Sequence, residues 1–304
     1  MQVSAGQWFK TPCRNSQLEC PPPHLPPALI ALRSNKPLLY LLGGGLGGAA
    51  GAVLAEFAPG GGRDASPLAL VVATGIWSAI AASVLATALF VAGEWHQRRD
   101  VRPRSVQKIL LFGALGGFVS GAVAQAAYSV QLGPAAFHAV VVRVVCWALM
   151  GALLGALLSR PVPNLGLLRG LIAGAVGGGL GGIGFLLVGA VLPDAIGRLV
   201  GIGTLGLALG LAMIVVEKLF REASLEVIWA PNETTNFNLG AQAVTLGGGE
   251  DHVFVRGLPP RFASIAFANG VIEYVETATG KRTPLKDGSR LEIGKLNLVI
   301  HAAK

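Results

Sequence analysis

Three segments of this chain carry glycine at one four-point spacing, G-x-x-G-G-x-x-G/S: Gly44, Gly47, Gly48 and Gly51; Gly113, Gly116, Gly117 and Ser120; Gly174, Gly177, Gly178 and Gly181. Each lies in an apolar run too long for an ordinary strand. Steps of three and four residues gather the small positions on one side of a helix, where another backbone can approach closely. Lipid offers the backbone no competing hydrogen-bond partners, so such helices persist despite their glycines. The expectation is a glycine-zipper packing face, used three times.

Composition agrees with a membrane setting. Mean hydropathy is +0.60, 52% of residues are hydrophobic and 13% are charged, which does not fit a soluble chain of this length. Six spans are expected, at roughly 37–57, 67–93, 108–130, 137–159, 165–192 and 196–217, each near or above the ~20 residues that cross the hydrocarbon. Pro37 suits the start of the first.

Basic residues set the orientation. Arg33, Lys36, Arg98, Arg99, Arg102, Arg104, Lys108, Arg160, Arg169, Lys218 and Arg221 flank one set of span ends, and only Arg63 and Arg198 the other. By the positive-inside rule both termini are expected in the cytoplasm, in a multi-pass protein of a bacterial inner membrane. The net charge of +8 belongs to the membrane part, because residues 222–304 carry nine acidic and eight basic side chains. Its expected partners are the lipid bilayer and anionic lipid headgroups at the cytoplasmic face, and no nucleic acid.

The repeat extends beyond the glycines. Arg143, Gly151 and Gly155 in the fourth span have the separations of Arg198, Gly206 and Gly210 in the sixth, and Trp77 matches Trp147. The unit is therefore a helical hairpin of about 60–70 residues, repeated in parallel about an axis along the membrane normal. The glycine helices either meet around that axis and line a solute path, or serve tight packing alone; the second is preferred. Ionisable groups lie near span ends rather than the midplane, where function retains them. Glu56 and its repeat mates Gln125 and Leu186 form no polar ring. Arg143 can snorkel to the headgroups or pair with Glu56, and His138 is expected at the interface.

Residues 1–36 are proline-rich, with the run CPPPHLPP, and lack the apolar core of a signal peptide; a disordered or extended tail is expected. Cys13, Cys20 and His24 match no common zinc spacing, and no metal site or cofactor is expected. Cys146 lies inside the membrane part, where no disulfide is expected.

After Phe220 long apolar runs give way to short alternating stretches: 225–230, 252–255, 264–268, 271–278, 290–294 and 296–302. These are expected strands of a small all-β sandwich over 222–304, with PNETTNFNLG as a linker after the first. Thr234 and Thr235 on that linker are ordinary polar residues or kinase targets.

The stretch from Val244 to Ile300 resembles the forkhead-associated (FHA) family. Val244 to Val255 matches its strand, Gly-Arg, acidic turn and strand; Leu285, Asp287, Gly288, Ser289, Leu291, Ile293 and Gly294 match its closing motif. The resemblance covers roughly 225–302 and implies a β-sandwich whose loops at one end bind phosphothreonine. The family's arginine is replaced by Gly248, and its Ser-x-x-His by Pro259, Pro260, Arg261 and Phe262. Its Ser-x-Asn-Gly-Thr turn is shortened to residues 277–281. A phosphate dianion needs charge-assisted donors, so these departures favour phosphate-independent docking, with Arg256, Arg261, Lys281 and Arg282 as a substitute basic cluster.

No grouping of nucleophile, base and carboxylate is apparent, and the glycine runs lie within helices rather than in a loop that opens one. An enzyme is not expected. The leading expectation is a membrane anchor or scaffold presenting an FHA-like interaction domain to a cytoplasmic or membrane protein. The alternatives are a small-solute transporter or channel with a cytoplasmic regulatory domain, and a phosphothreonine reader.

Overall fold

The computed structural model describes residues 26–302 apart from 61–64, 131–134, 161, 163, 231–232, 256, 269 and 294–295. Among them are seven helices: α1 (Pro27–Ser34), α2 (Lys36–Ala55), α3 (Pro67–His96), α4 (Pro103–Ser129), α5 (Ala135–Leu158), α6 (Leu167–Gly189) and α7 (Asp194–Leu219). Six of these, α2 to α7, are long and apolar enough to cross a membrane, the make-up of a multi-pass membrane protein. Pro37, Pro67 and Pro103 open α2, α3 and α4, where a missing N–H costs nothing. Asn35 and Ser66 accept from Leu38 N at 3.1 Å and Ala69 N at 3.3 Å, capping the first two of these.

The six long helices form a ring in chain order, closed by α2 against α7. Across its middle it is α3 with α5, and α5 with α7, that approach one another. The glycine helices do not meet around the axis, which corrects that expectation: each is wedged between two neighbours on the ring, and its large side chains, such as Leu46, Leu115 and Leu180, face outward. The four-point spacing divides into two pairs. Methyl groups at Gly44 and Gly48 would overlap the carbonyl oxygens of Gly206 and Ile202 on α7, whereas Gly47 and Gly51 abut Ala88 and Ala81 on α3. Likewise Gly174 and Gly178 meet Gly151 and Trp147 on α5, while Gly177 and Gly181 meet Leu209 and Leu205 on α7. Gly113 and Gly117 meet Ala82 and Ser78 on α3, and Gly116 faces Leu153 on α5. Ser120 returns its hydroxyl to Gly116 O at 2.8 Å.

The seams α2–α7, α6–α5 and α4–α3 therefore repeat one contact, between the first helix of a hairpin and the second helix of another. Ser78, not Trp77, takes the place of Trp147, so α3 is one residue out of the register that the tryptophans suggest.

Residues 27–34 are helical rather than part of an extended tail. Pro27 opens the helix, and the run ALIAL continues it until Asn35 caps both α1 and α2. Cys13, Cys20 and His24 lie outside the described residues.

The C-terminal region holds nine strands among the described residues: β1 (Ala223–Ala230), β2 (Glu233–Leu239), β3 (Val244–Gly247), β4 (Val253–Phe254), β5 (Ala263–Ala268), β6 (Val271–Glu276), β7 (Arg282–Leu285), β8 (Arg290–Ile293) and β9 (Leu296–Ala302). They form sheets of order β2-β1-β9-β8 and β4-β3-β5-β6-β7, antiparallel except for β3 with β4. Alternate residues of both sheets, including Leu225, Val227, Leu246, Ile265, Leu298 and Ile300, share one fully buried core. The expected linker is mostly β2, paired along β1 from Leu239 with Ala223 to Thr234 with Ile228. Thr235 on it is buried, not a flexible phosphorylation site.

Candidate functional site

Two places combine chemistry with shape: the junction between helices and β domain, with the β turns beside it, and a cavity in the opposite half of the ring.

At the junction, α3 ends in a turn whose Arg98 takes a left-handed conformation (φ 58°), a position glycine usually fills. Arg99 N bonds Glu94 O at 2.9 Å and Arg98 N bonds Trp95 O at 3.2 Å, closing the helix. The turn aims the Arg98 guanidinium across the Trp229 ring at 4.7 Å and onto Glu233 of β2. Glu233 also accepts from Arg33 Nε at 2.9 Å. Burial pulls Arg98 below the usual arginine range, and the Glu233 carboxylate opposes that shift. On the opposite flank Asn164 Nδ2 donates to the carbonyls of Asn238 and Gln242, and its Oδ1 accepts from Gln242 N, all at 2.9 Å. Arg221 Nε donates to Asn238 Oδ1 at 2.9 Å. The β domain is thus fastened through its polar β2 face to the basic end of the ring.

Of the expected docking residues, Gly248, Arg261 and Lys281 fall on turns at one end of the β domain. Gly248 N bonds Pro259 O at 3.2 Å, Arg261 N bonds Asp251 Oδ2 at 2.9 Å, and Thr277 N bonds Phe262 O at 3.0 Å, tying the three turns together. Arg261, Lys281 and Arg282 are exposed. Arg282 starts β7 and lies 3.8 Å from Glu273. Arg256 lies outside the described residues. Glu250, in the first of these turns, pairs with Arg102 beyond α3.

The ring was expected to be tightly packed throughout, and in one half it is not. A cavity of about 640 Å³ lies among α3 to α7, running from Tyr128 and Gly197 near the helix ends far from the β domain down to Met150 and Ser120. It exists because α4 and α5 make the loosest of the six neighbouring contacts. A methyl group at Gly116 would find Leu153 Cβ at 3.4 Å, whereas one at Gly177, the equivalent position in the next hairpin, would lie 2.8 Å from Leu209 Cα. His138 spans the gap at the far end, its Nε2 3.1 Å from Ala127 O.

The same geometry corrects one pairing. Glu56 binds Arg198, not Arg143: Nε to Oε1 at 2.7 Å and Nη2 to Oε2 at 2.9 Å. These hydrogen bonds hold the Glu56 carboxyl below its usual range against a smaller opposing effect of burial. Repeat positions explain the choice. Four residues before the seam positions Ile202, Trp147 and Ser78 stand Arg198, Arg143 and Thr74; eight residues after Gly48, Gly178 and Gly117 stand Glu56, Leu186 and Gln125. Across two of the seams the facing pairs are bonded, Glu56 with Arg198 and Gln125 with Thr74 (3.3 Å); in the same register Leu186 corresponds to Arg143, and both line the cavity.

Compared with protein-family models, curated proteins and solved structures, the chain matches none of them.

Proposed function

We propose that this protein is a membrane-anchored scaffold that presents an FHA-like β domain on the cytoplasmic face of an inner membrane, where the turns carrying Gly248, Arg261 and Lys281 dock a protein partner without needing its phosphorylation. The carrying observation is the clamp of Glu233 by Arg33 and Arg98. It holds those turns in one orientation to the membrane, as a docking platform requires. The two-sheet order, with first and last strands paired side by side, and the motif residues at one end support the FHA-like reading. The eleven basic residues on the β-domain side of the spans support a cytoplasmic location.

The test is photo-crosslinking of the full-length protein in its own membrane, with the reactive residue at 261, at 281, or on the distant strand position 297. A discrete partner captured at 261 and 281 but not at 297 is the expected result. Equal labelling at all three positions would remove the reading, and capture only of threonine-phosphorylated protein would replace it with a phosphate reader.

The cavity favours a second reading, passage of a small solute. It is open in one half of the ring, and the other half is closed by Leu89, Leu154, Leu157 and Leu209. Solute flux across proteoliposomes containing the full chain tests it directly; none would be measured from a scaffold.

A further inference from the structure

The Arg143 position is the one seam where a cation faces a residue unable to complement it. At the equivalent place on α7, Arg198 receives a bidentate carboxylate from Glu56. On α5 the corresponding partner position is Leu186, and Arg143 makes no hydrogen bond or ion pair among the described residues. Arg143, an exposed side chain, stands six residues into the candidate span from Phe137, about 9 Å along the axis, between Val140, Val141, Val144 and Val145. A guanidinium at that depth is costly in lipid unless it faces a polar cavity or a counter-charge.

Arg143 and Leu186 both line the cavity, which supplies the room that a counter-charge would fill. No described lining residue is a carboxylate, and the Glu56 carboxylate is already engaged by Arg198. The polar part of the wall also holds the Gln125 amide, whose Oε1 accepts from Thr74, and Arg198, already held by Glu56; Trp147 and Phe185, with ring centroids 5.4 Å apart, and Met150 make the rest apolar. A guanidinium in a cavity that also holds an amide and an aromatic wall suits a group that is anionic at one end and apolar at the other. Carboxylate and phosphate both match the planar donor fork of arginine. The volume falls within the range of small-molecule sites.

We infer that the cavity binds an anionic head group of phosphate or carboxylate type at Arg143, with an apolar body against Trp147, Phe185 and Met150, the ligand supplying the charge that Glu56 supplies to Arg198. This is independent of the docking role and does not require that the ligand cross the membrane.

The full-length protein in phosphatidylcholine nanodiscs is titrated by calorimetry with hexyl phosphate, inorganic phosphate and hexanol. Hexyl phosphate is expected to bind saturably, and Arg143→Gln to weaken it at least tenfold. Leu186→Glu, which builds the missing carboxylate into the wall, is expected to weaken it as much while raising the melting temperature, so that loss of binding is separated from loss of fold. Competition by inorganic phosphate assigns the site to a soluble anion, and its failure to compete assigns it to an amphipathic one such as a lipid; either upholds the anion site. Binding unchanged in both variants, or hexanol binding as tightly as hexyl phosphate, overturns it.

Discussion

Arg33 and Glu233, two hundred positions apart, meet at 2.9 Å where the first helix touches the second strand of the β domain. Arg98 reaches the same carboxylate from the end of α3, so one acid joins three elements. Glu233 is buried, and removing it leaves two guanidinium groups facing each other at the junction.

Glu233→Ala should therefore release the β domain from the ring without unfolding either. Breaking a buried pair by deleting one partner costs about 3–5 kcal/mol, charged here to docking rather than to the β core, which lies on the far side of β2. Hydrogen exchange of the full chain is the measurement. Faster exchange confined to α1, β2, Asn164 and Leu165 is expected, and exchange equal to that of the parent protein would contradict it.

Adjacent glycines on α6 should respond oppositely. A methyl at Gly178 would overlap the Trp147 carbonyl oxygen, which is backbone and cannot swing aside, whereas at Gly179 it would find Ala148 Cβ at 3.7 Å, an ordinary contact. Gly178→Ala should lose roughly 1–3 kcal/mol through overpacking. Gly179→Ala should be neutral or gain up to about 1 kcal/mol by restricting the unfolded chain. Thermal melts in one detergent, side by side, decide this, and equal effects of the two substitutions would contradict the close backbone contact at Gly178.

The long helices were legible because length, hydropathy and basic flanks are local properties. Elements stabilised by docking were not. β2 is built from Glu233, Thr234, Thr235 and Asn236, a composition that resembles a linker until Arg33, Arg98 and Asn164 are seen to use its polar face. α1 was hidden by its prolines, two of which mark its start. The repeat identified Arg143 and Arg198 as equivalent, yet could not say which one Glu56 would meet. That depends on Gly44 and Gly48 facing α7 while Gly47 and Gly51 face α3, a choice of neighbour that spacing alone does not encode. The cavity accompanies the loose contact between α4 and α5, which no periodicity signals.

His252 gives the β domain a pH dependence. Thr245 N donates to its Nδ1 at 3.1 Å, which requires that nitrogen to be unprotonated. Burial first, and then the charge of Arg99, hold the imidazole below its usual range, with Asp251 opposing. An unfolded histidine titrates near 6.5. As pH falls below that value the unfolded chain takes up the proton before the folded one, so stability is complete above about 6.5 and declines on acidification. Hydrogen exchange of residues 245–254 should accelerate between pH 7.5 and 5.5, and His252→Gln should flatten the change. A parent protein whose exchange, corrected for intrinsic rate, is constant over that interval would sink the assignment.

Where α2 closes the ring against α7, an ion pair lies near each end of the seam, and the two differ in exposure. Lys36 Nζ meets both oxygens of Glu217, at 2.7 and 2.6 Å, with side chains only 15% and 8% exposed. Glu56 and Arg198 at the other end are 41% and 39% exposed. Solvent screening limits an exposed pair to about 0–1 kcal/mol, whereas deleting one member of a buried pair strands the other at a cost of about 3–5 kcal/mol. Glu217→Ala should therefore lower the melting temperature of the full chain several times more than Glu56→Gln, and Lys36→Met combined with Glu217→Met should recover most of that loss, because the stranded charge is then absent. If the double variant is as unstable as Glu217→Ala alone, the pair itself rather than the stranded lysine holds α2 to α7.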